Sequence, residues 1–139
     1  MKLQLSLPGL PPKKDGANSM WRKGVEMKRL KTLRLVAYQE FNNHSMIESP
    51  IHLTLRVYSL PRQGDLDNFI TGICDGLMAI HPLTPIDATD WEDLPLEARP
   101  HNKLVFKDDA LIDRIEAQRF PPDGPEPRYQ IELDWDERI

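Results

Sequence analysis

The stretch PIHLTLRVYSL at residues 50–60, followed at once by PRQGDLDNFITGICDGLMAI at 61–80, decides the fold of this chain. In the first part apolar and polar residues alternate, which is the pattern of a strand with one buried and one solvated face. Pro61 ends that strand, and Asp65 stands where a helix begins, because the apolar residues after it recur at helical spacing. A strand that runs through a short turn into a helix indicates an α/β domain.

The segment before this unit predicts one more strand and one more helix. KLQLSL at residues 2–7 alternates like a strand, and the prolines of PGLPPKKDGANS at 8–19 exclude regular structure. From residue 21 to 43 there is no proline and only one glycine, Gly24, and apolar residues recur near helical spacing. We therefore expect a long amphipathic helix over residues 21–43.

The segment after it predicts a long insertion and two further strands. Residues 81–103 hold four prolines and five acidic residues without a sustained period, which is typical of a functional lid or a mobile insertion. Residues 105–120 contain a strand, and the turn at 121–127 leads to a last strand at 128–135, so we expect these two strands to pair antiparallel. The order β-α-β-α-insertion-β-β predicts a single domain, residues 1–139, with a small mixed sheet of about four strands and two main helices.

Composition restricts the class of protein. With 139 residues, 40% hydrophobic and 29% charged, the chain is typical of one soluble globular domain. No window approaches the roughly 18 consecutive apolar residues of a membrane span, and the N-terminus lacks a signal-peptide pattern. The single cysteine, Cys74, excludes a disulfide scaffold and a multi-cysteine zinc site. We expect Cys74 to be a small buried hydrophobe in a cytoplasmic protein.

Charge is distributed unevenly along the chain. The formal net charge of −4 and the pI near 5.5 argue, taken alone, against a nucleic-acid partner. Residues 1–44, however, carry a net charge of +6, and residues 45–139 carry −10. The basic region is either a solvated helix face or a stripe that meets phosphates, and composition leaves both interpretations open. Six of its cations fall within thirteen residues: Arg22, Lys23, Lys28, Arg29, Lys31 and Arg34.

Two pairs of aspartates stand at junctions between predicted elements. Asp65 and Asp67 flank the start of a helix, and Asp108 and Asp109 precede a strand. Each has an ordinary structural explanation as a helix cap or a turn residue. If the fold brings them together, three or four carboxylates repel one another unless a cation neutralises them, and oxygen ligands suit Mg²⁺ or Mn²⁺. A magnesium ion held in this way activates water for phosphodiester hydrolysis.

These motifs together resemble the RusA-type Holliday junction resolvases, which are small dimeric Mg²⁺-dependent endonucleases that cut four-way DNA junctions. The resemblance lies in LPGLPP after the first strand, the basic helix, GDLDN, CDGLM and KDDALI, and it covers nearly the whole chain in element order. It implies that Asp65, Asp67 and Asp109 are catalytic metal ligands, with Asp108 as a further metal contact. It also implies Mg²⁺ as the cofactor, with Mn²⁺ as a substitute, a homodimer, and branched DNA as the substrate.

The sequence departs from this family in two places. The family often has a lysine four residues after the second acid of its D-x-D box, and this chain has Thr71 there. Lys107 and Arg62 are the candidates to supply the missing cation. The second departure is the insertion at 81–103, because the family usually passes from the second helix to the DD box in a few residues. Since the insertion joins the two halves of the implied site, we expect it beside the metal cleft, as a lid or a dimer contact.

Three functions remain open at this point. The first is a Mg²⁺-dependent, structure-specific endonuclease that resolves Holliday junctions in DNA recombination and repair. The second is a RusA-like DNA-binding or phage accessory protein that cleaves weakly, which Thr71 and the acidic net charge favour. The third is an oligomeric interaction module whose aspartates are caps and turns. For the first function we expect the acidic insertion to lie outside the basic patch and the following residues to contact DNA: Arg22, Lys23, Lys28, Arg62 and Lys107.

Overall fold

The centre of the molecule is a four-stranded mixed sheet in the computed structural model, which describes residues 1–14 and 19–136. Its strands are β1 (Lys2–Pro8), β2 (Ile51–Tyr58), β3 (Ile112–Phe120) and β4 (Arg128–Trp135). The order across the sheet is β1-β4-β2-β3. β4 pairs antiparallel with both β1 and β2, and β3 pairs parallel with β2. The prediction of an α/β chain with a small mixed sheet is therefore confirmed.

The pairing of the last two strands corrects the antiparallel pair expected from the sequence. β3 and β4 are not neighbours, because β4 lies between β1 and β2, and β3 forms an edge. Burial explains the arrangement. Along β4 every second residue is buried, as in a central strand, whereas most of β3 is exposed, and even Ile115 is 46% exposed. The strand with the more regular apolar face takes the centre, and the strand with more charge takes the edge.

In the described part of the chain, three α-helices connect the strands: α1 (Ser19–Arg22), α2 (Gly24–Phe41) and α3 (Leu66–Gly76). The single helix expected over residues 21–43 is broken near its start. Lys23 is extended, and Gly24 has a φ of +77°, a left-handed conformation that glycine adopts without steric cost. Within residues 1–14 and 19–136 no helix is long and apolar enough to cross a membrane.

Helices α2 and α3 cover one face of the sheet. They approach each other closely at Gly76, where a Cβ would lie 2.6 Å from Cδ1 of Leu30. One candidate acidic pair, Asp65 and Asp67, lies at the N-terminal end of α3. The other pair, Asp108 and Asp109, lies near its C-terminal end. The helix residues in the main core are Leu33, Ala37, Phe41, Phe69 and Ile73.

Part of the insertion is packed against the helices. Residues 81–103 contain two short 3-10 turns, Ala88–Trp91 and Leu96–Ala98, and Trp91 is only 1% exposed. The indole of Trp91 donates a hydrogen bond of 3.3 Å to the carbonyl of Trp21. The insertion thus builds a second hydrophobic cluster against α1 and α2. The buried members of that cluster are Met20, Trp21, Leu30, Ile80, Trp91, Leu94 and Ala98.

Arg34 joins the insertion, α2 and α3. Its side chain is fully buried and has backbone carbonyls rather than a carboxylate as partners. Arg34 therefore does not belong to the basic stripe in which the sequence placed it, because its charge is not accessible to a phosphate. The five carbonyl acceptors, at 2.6–2.9 Å, belong to Gly76, Met78, Ala98, Arg99 and Asn102.

Candidate active site

The junction between β2 and α3 presents two exposed aspartates. Asp65 occupies the N-cap position of α3, but its side chain accepts no capping hydrogen bond. Asp67 lies in the first turn, and its Oδ1 accepts a hydrogen bond of 3.0 Å from the amide of Asn68. Asp65 therefore stands at the capping position, but its carboxylate does not cap the helix. Both carboxylates face solvent at this end of the helix.

Arg119 of β3 fixes the turn that carries these two aspartates. Its guanidinium donates to Oγ of Ser59 at 2.6 Å, to the carbonyl of Leu60 at 3.2 Å and to the carbonyl of Gly64. Gly64 has a φ of +148°, and a Cβ there would overlap the ring of Phe69. The arginine and the glycine together hold the turn in one conformation as it enters α3.

The two adjacent aspartates before β3 have different environments. Asp108 caps the 3-10 turn Asp109–Leu111, since its Oδ1 accepts a hydrogen bond of 2.9 Å from the amide of Ala110, and this bond lowers its pKa. The pKa of Asp109 is raised, first by partial burial, then by the hydrogen bond and charge of Asp108 and by the charge of Asp75. Asp108 is therefore the turn residue of the pair, and Asp109 is the carboxylate whose ionised form is disfavoured by its surroundings.

Helix α3 separates the two aspartate pairs. Because β3 is parallel to β2, the two strands begin at the same end of the sheet. Helix α3 begins at the opposite end, where β2 ends. Asp109 consequently lies near the C-terminal end of α3, where its charge acts on Cys74 and Asp75. Asp67 lies two helical turns earlier, about 12 Å along the helix axis from Asp75. Within one chain of this structure, Asp109 therefore does not share a position with Asp65 and Asp67.

The structure brings Asp109 together with Asp75 and Lys14 instead. The three residues line a cleft of about 440 Å³ between the proline-rich loop, the end of α3 and the start of the insertion. Nζ of Lys14 lies 3.0 Å from Oδ2 of Asp75. Sequence reasoning missed both of these partners, because no local spacing in the sequence relates Asp75 to Lys14 or to Asp109. The cleft is completed by Met20, Trp21, Met78, Ala79, Ile80, His81 and Pro82.

The donor chemistry of the cleft fits a hard divalent cation. Carboxylate oxygens are the ligands that Mg²⁺ and Mn²⁺ prefer, and a cation would offset the mutual repulsion of the neighbouring carboxylates. Among residues 1–14 and 19–136, no three His, Cys, Asp or Glu side chains are arranged to hold a metal ion. The cleft thus offers two protein carboxylates, and Mg²⁺ commonly binds through one or two carboxylates together with several waters.

The residues expected to contact DNA lie on three separate surfaces. Arg22, Lys23 and Lys28 are exposed on α1 and α2. Arg62 is exposed in the 3-10 turn Pro61–Gln63, at the end of α3 where Asp65 and Asp67 lie. Lys107 is exposed near Asp109, and its ammonium pairs with Glu48.

The acidic insertion lies against the basic helix, which corrects the expectation that it stands outside the basic patch. Lys31 pairs with Asp93 at 3.1 Å and lies over the ring of Trp91. Arg22 lines a cavity of about 460 Å³ together with Asp87 and Asp90. Part of the positive charge counted in the sequence is therefore balanced inside the molecule. The start of the insertion does border the cleft, as expected from its place in the chain.

Cys74 beside the cleft is not an activated nucleophile. Burial, followed by the charges of Asp109 and Asp75, raises the pKa of its thiol to about 12. The thiol is half-buried and stays protonated at neutral pH. Cys74 packs against the main core, but it is half-buried rather than the buried hydrophobe expected from the sequence.

Comparison with known proteins identifies no family for this chain. A scan of the sequence against protein-family models gives no match, and a search of the curated proteins gives none either. The chemistry of the site therefore carries the functional inference.

Proposed function

We propose that the chain is a Mg²⁺-dependent, structure-specific endonuclease that hydrolyses phosphodiester bonds in branched DNA, as a cytoplasmic Holliday junction resolvase does in recombination and repair. The observation that carries this proposal is the carboxylate pair Asp75 and Asp109, which shares a cleft with the ammonium of Lys14. Two carboxylates for a divalent cation and a cation for the substrate phosphate are the groups that this hydrolysis requires.

Each part of the cleft has a role in the proposed reaction. Asp75 and Asp109 would hold the divalent cation, which supplies Lewis acidity and an activated water when bound. The water oxygen forms a bond to phosphorus and one P–O ester bond breaks. One water proton ends on the leaving oxygen, so that the products are a phosphate monoester and a hydroxyl. Apolar side chains of Trp21, Met78 and Ile80 form the rest of the cleft wall beside these charged groups.

The proposed substrate is held by the exposed cations and by symmetry. Arg22, Lys23 and Lys28 are the phosphate contacts that we assign to α1 and α2, because their charges remain accessible. We further propose a homodimer, since a four-way junction has pseudo-two-fold symmetry and a C₂ dimer presents two equivalent sites. Two copies also double the positive surface that a net acidic chain offers to DNA.

A second candidate function is a protein that binds branched DNA and cleaves it weakly. The observation that favours it is at position 71, where α3 has a threonine and therefore no cation to meet a phosphate. The Thr71 hydroxyl donates a hydrogen bond of 3.0 Å to the carbonyl of Asp67. The pairing of Lys31 with Asp93 adds to it by removing positive charge from the DNA-binding surface. This candidate predicts junction binding with slow Mg²⁺-dependent cutting or none.

Replacing Asp109 by Asn tests the proposed function. The amide keeps the shape of the side chain and removes the charge that attracts the cation. We expect wild-type protein to cut a four-way junction in Mg²⁺, and Asp109→Asn to lower the single-turnover rate by about 100-fold or more while junction binding is kept or strengthened. Asp113→Asn, an exposed charge change on β3, is the matched control and should stay within about threefold of wild type.

Two further results separate the alternatives. Wild-type protein that binds the junction and never cuts it supports the second candidate function, and protein that neither binds nor cuts supports an interaction module. Asp67→Asn distinguishes a metal site formed by Asp75 and Asp109 from one formed by Asp65, Asp67 and Asp109. Loss of cutting in Asp67→Asn with normal cutting in Asp75→Asn would show that Asp65 and Asp67 join Asp109 in the active complex.

A further inference from the structure

We propose that Lys14 is a catalytic residue of this cleft, whose ammonium contacts a non-bridging oxygen of the scissile phosphate and stabilises its charge in the transition state. This inference rests on the proposed function and assigns it a residue that the sequence motifs do not contain. It depends on three features of the structure. The ammonium of Lys14 is exposed, its position beside the carboxylates is set by packing, and the neighbouring cations lie outside the cleft.

The ammonium of Lys14 is available to a substrate. Its side chain is 48% exposed, and Asp75, at 3.0 Å, is its ion-pair partner. An exposed pair of this kind is weak, so a phosphate oxygen can be added to it or compete with it. Of the described residues that line the cleft, Lys14 is also the only lysine or arginine. Helix α3, from Leu66 to Gly76, contains neither.

The position of Lys14 is set by the packing of the proline-rich loop on α3. Gly72 makes this possible, because a Cβ at that position would overlap the carbonyl oxygen of Pro12. On the other side the amide of Lys13 donates a hydrogen bond of 2.9 Å to Oε1 of Glu26 in α2. The backbone before Lys14 is thus held between two helices, and the side chain extends to the acidic end of α3.

The other cations near the aspartates do not line the cleft, and their partners lie outside it. Lys107 pairs with Glu48, and Lys103 donates from Nζ to the carbonyl of Lys107 at 2.6 Å. Arg119 is bound to the turn before α3, at the opposite end of that helix. Among the described residues, Lys14 is therefore the cation placed to meet a phosphate that enters beside Asp75 and Asp109.

In the proposed hydrolysis, the ammonium of Lys14 stabilises negative charge and transfers no proton. During phosphoryl transfer, negative charge is spread over the non-bridging oxygens, and a cation held beside those oxygens lowers the energy of that state. Lys14 keeps its proton throughout and forms no covalent bond. Its loss should therefore slow the bond-breaking step more than it weakens DNA binding.

The experiment compares Lys14→Ala with Lys13→Ala, which removes the same charge from the adjacent position outside the cleft. Single-turnover cleavage of a four-way junction is measured in Mg²⁺, and junction affinity is measured in Ca²⁺. We expect Lys14→Ala to cut about 100- to 1,000-fold more slowly than wild type, with an affinity within about threefold of that of Lys13→Ala. Lys14→Arg should restore part of the rate because it restores the charge. Lys13→Ala should cut within about threefold of wild type.

A second measurement does not depend on cleavage. Lys14 competes with a divalent cation for Asp75, so Lys14→Ala should bind Mn²⁺ more tightly than wild type, and Lys13→Ala should not. Equal cleavage rates for the two alanine variants, or a rate and an affinity that fall in the same proportion, would overturn the role of Lys14 while leaving the endonuclease proposal intact. A wild-type protein that cuts no junction would overturn both, and unchanged Mn²⁺ affinity would remove Lys14 from the site.

Discussion

Arg34 is a buried cation whose partners are dipoles. Burial lowers its pKa to about 9, which still leaves the guanidinium protonated at neutral pH. Its N–H donors meet carbonyl oxygens at the C-terminal end of α3 and in the insertion. The end of a helix is the negative pole of its macrodipole, and its last carbonyls lack partners within the helix. A single arginine thus satisfies backbone groups that would otherwise be buried without hydrogen bonds.

Replacing Arg34 by Ala should be among the most destabilising single changes in the chain. It leaves several buried carbonyls unpaired and opens a cavity, so we expect the free energy of unfolding to fall by about 3–5 kcal/mol. Arg29→Ala on the same helix removes a partly exposed pair with Glu26 and should cost less than about 1 kcal/mol. Urea denaturation of the two variants measures the difference. Equal losses of stability would contradict the assigned role.

At the scale of elements, the contact between the proline-rich loop and α3 sets the shape of the cleft. Gly72→Ala forces the backbone at Pro12 to move, and we expect a loss of about 1–3 kcal/mol of stability. Since the loop carries Lys14, cutting of a junction should also slow. Gly124→Ala is the control, because a Cβ at Gly124 meets nothing within 4 Å, and it should change stability by less than about 0.5 kcal/mol. A Gly72→Ala variant as stable as this control would show that the contact is loose.

Elements with a regular period were predictable from the sequence, and their arrangement was not. β2 and β4 show an unbroken alternation, and α3 shows helical spacing, so local pattern specifies them. The neighbour of β3 depends on a competition for the central position of the sheet, which no single segment reveals. The insertion packs through 3-10 turns that have no long period. For the same reason the site was half predictable: Asp109 stands in a motif, whereas Asp75 and Lys14 meet only through tertiary packing.

At the scale of the whole molecule, the accessible positive charge is smaller than the sequence suggests, because Arg34 is buried and Lys31 is paired with Asp93. Replacing Arg22, Lys23 and Lys28 together by alanine should weaken junction binding and flatten the plot of log affinity against log salt by about one unit per lost phosphate contact. Lys31→Ala removes a cation that Asp93 already balances, and it should leave the slope nearly unchanged. Titrations between low and moderate salt measure both slopes. An unchanged slope in the triple variant would make these residues a solvated helix face.

The carbonyls that surround Arg34 come from positions 42 to 68 residues later in the chain, and this has a consequence for the order of folding. Helix α2 cannot bury that guanidinium until α3 has formed and the insertion has closed over it. Such long-range closure is slow, and it penalises any intermediate in which only the sheet and α2 are assembled. The insertion is consequently part of the cooperative unit. A chain shortened by removal of the insertion would lose three of the five carbonyls that accept hydrogen bonds from Arg34, and it should fail to reach the native state.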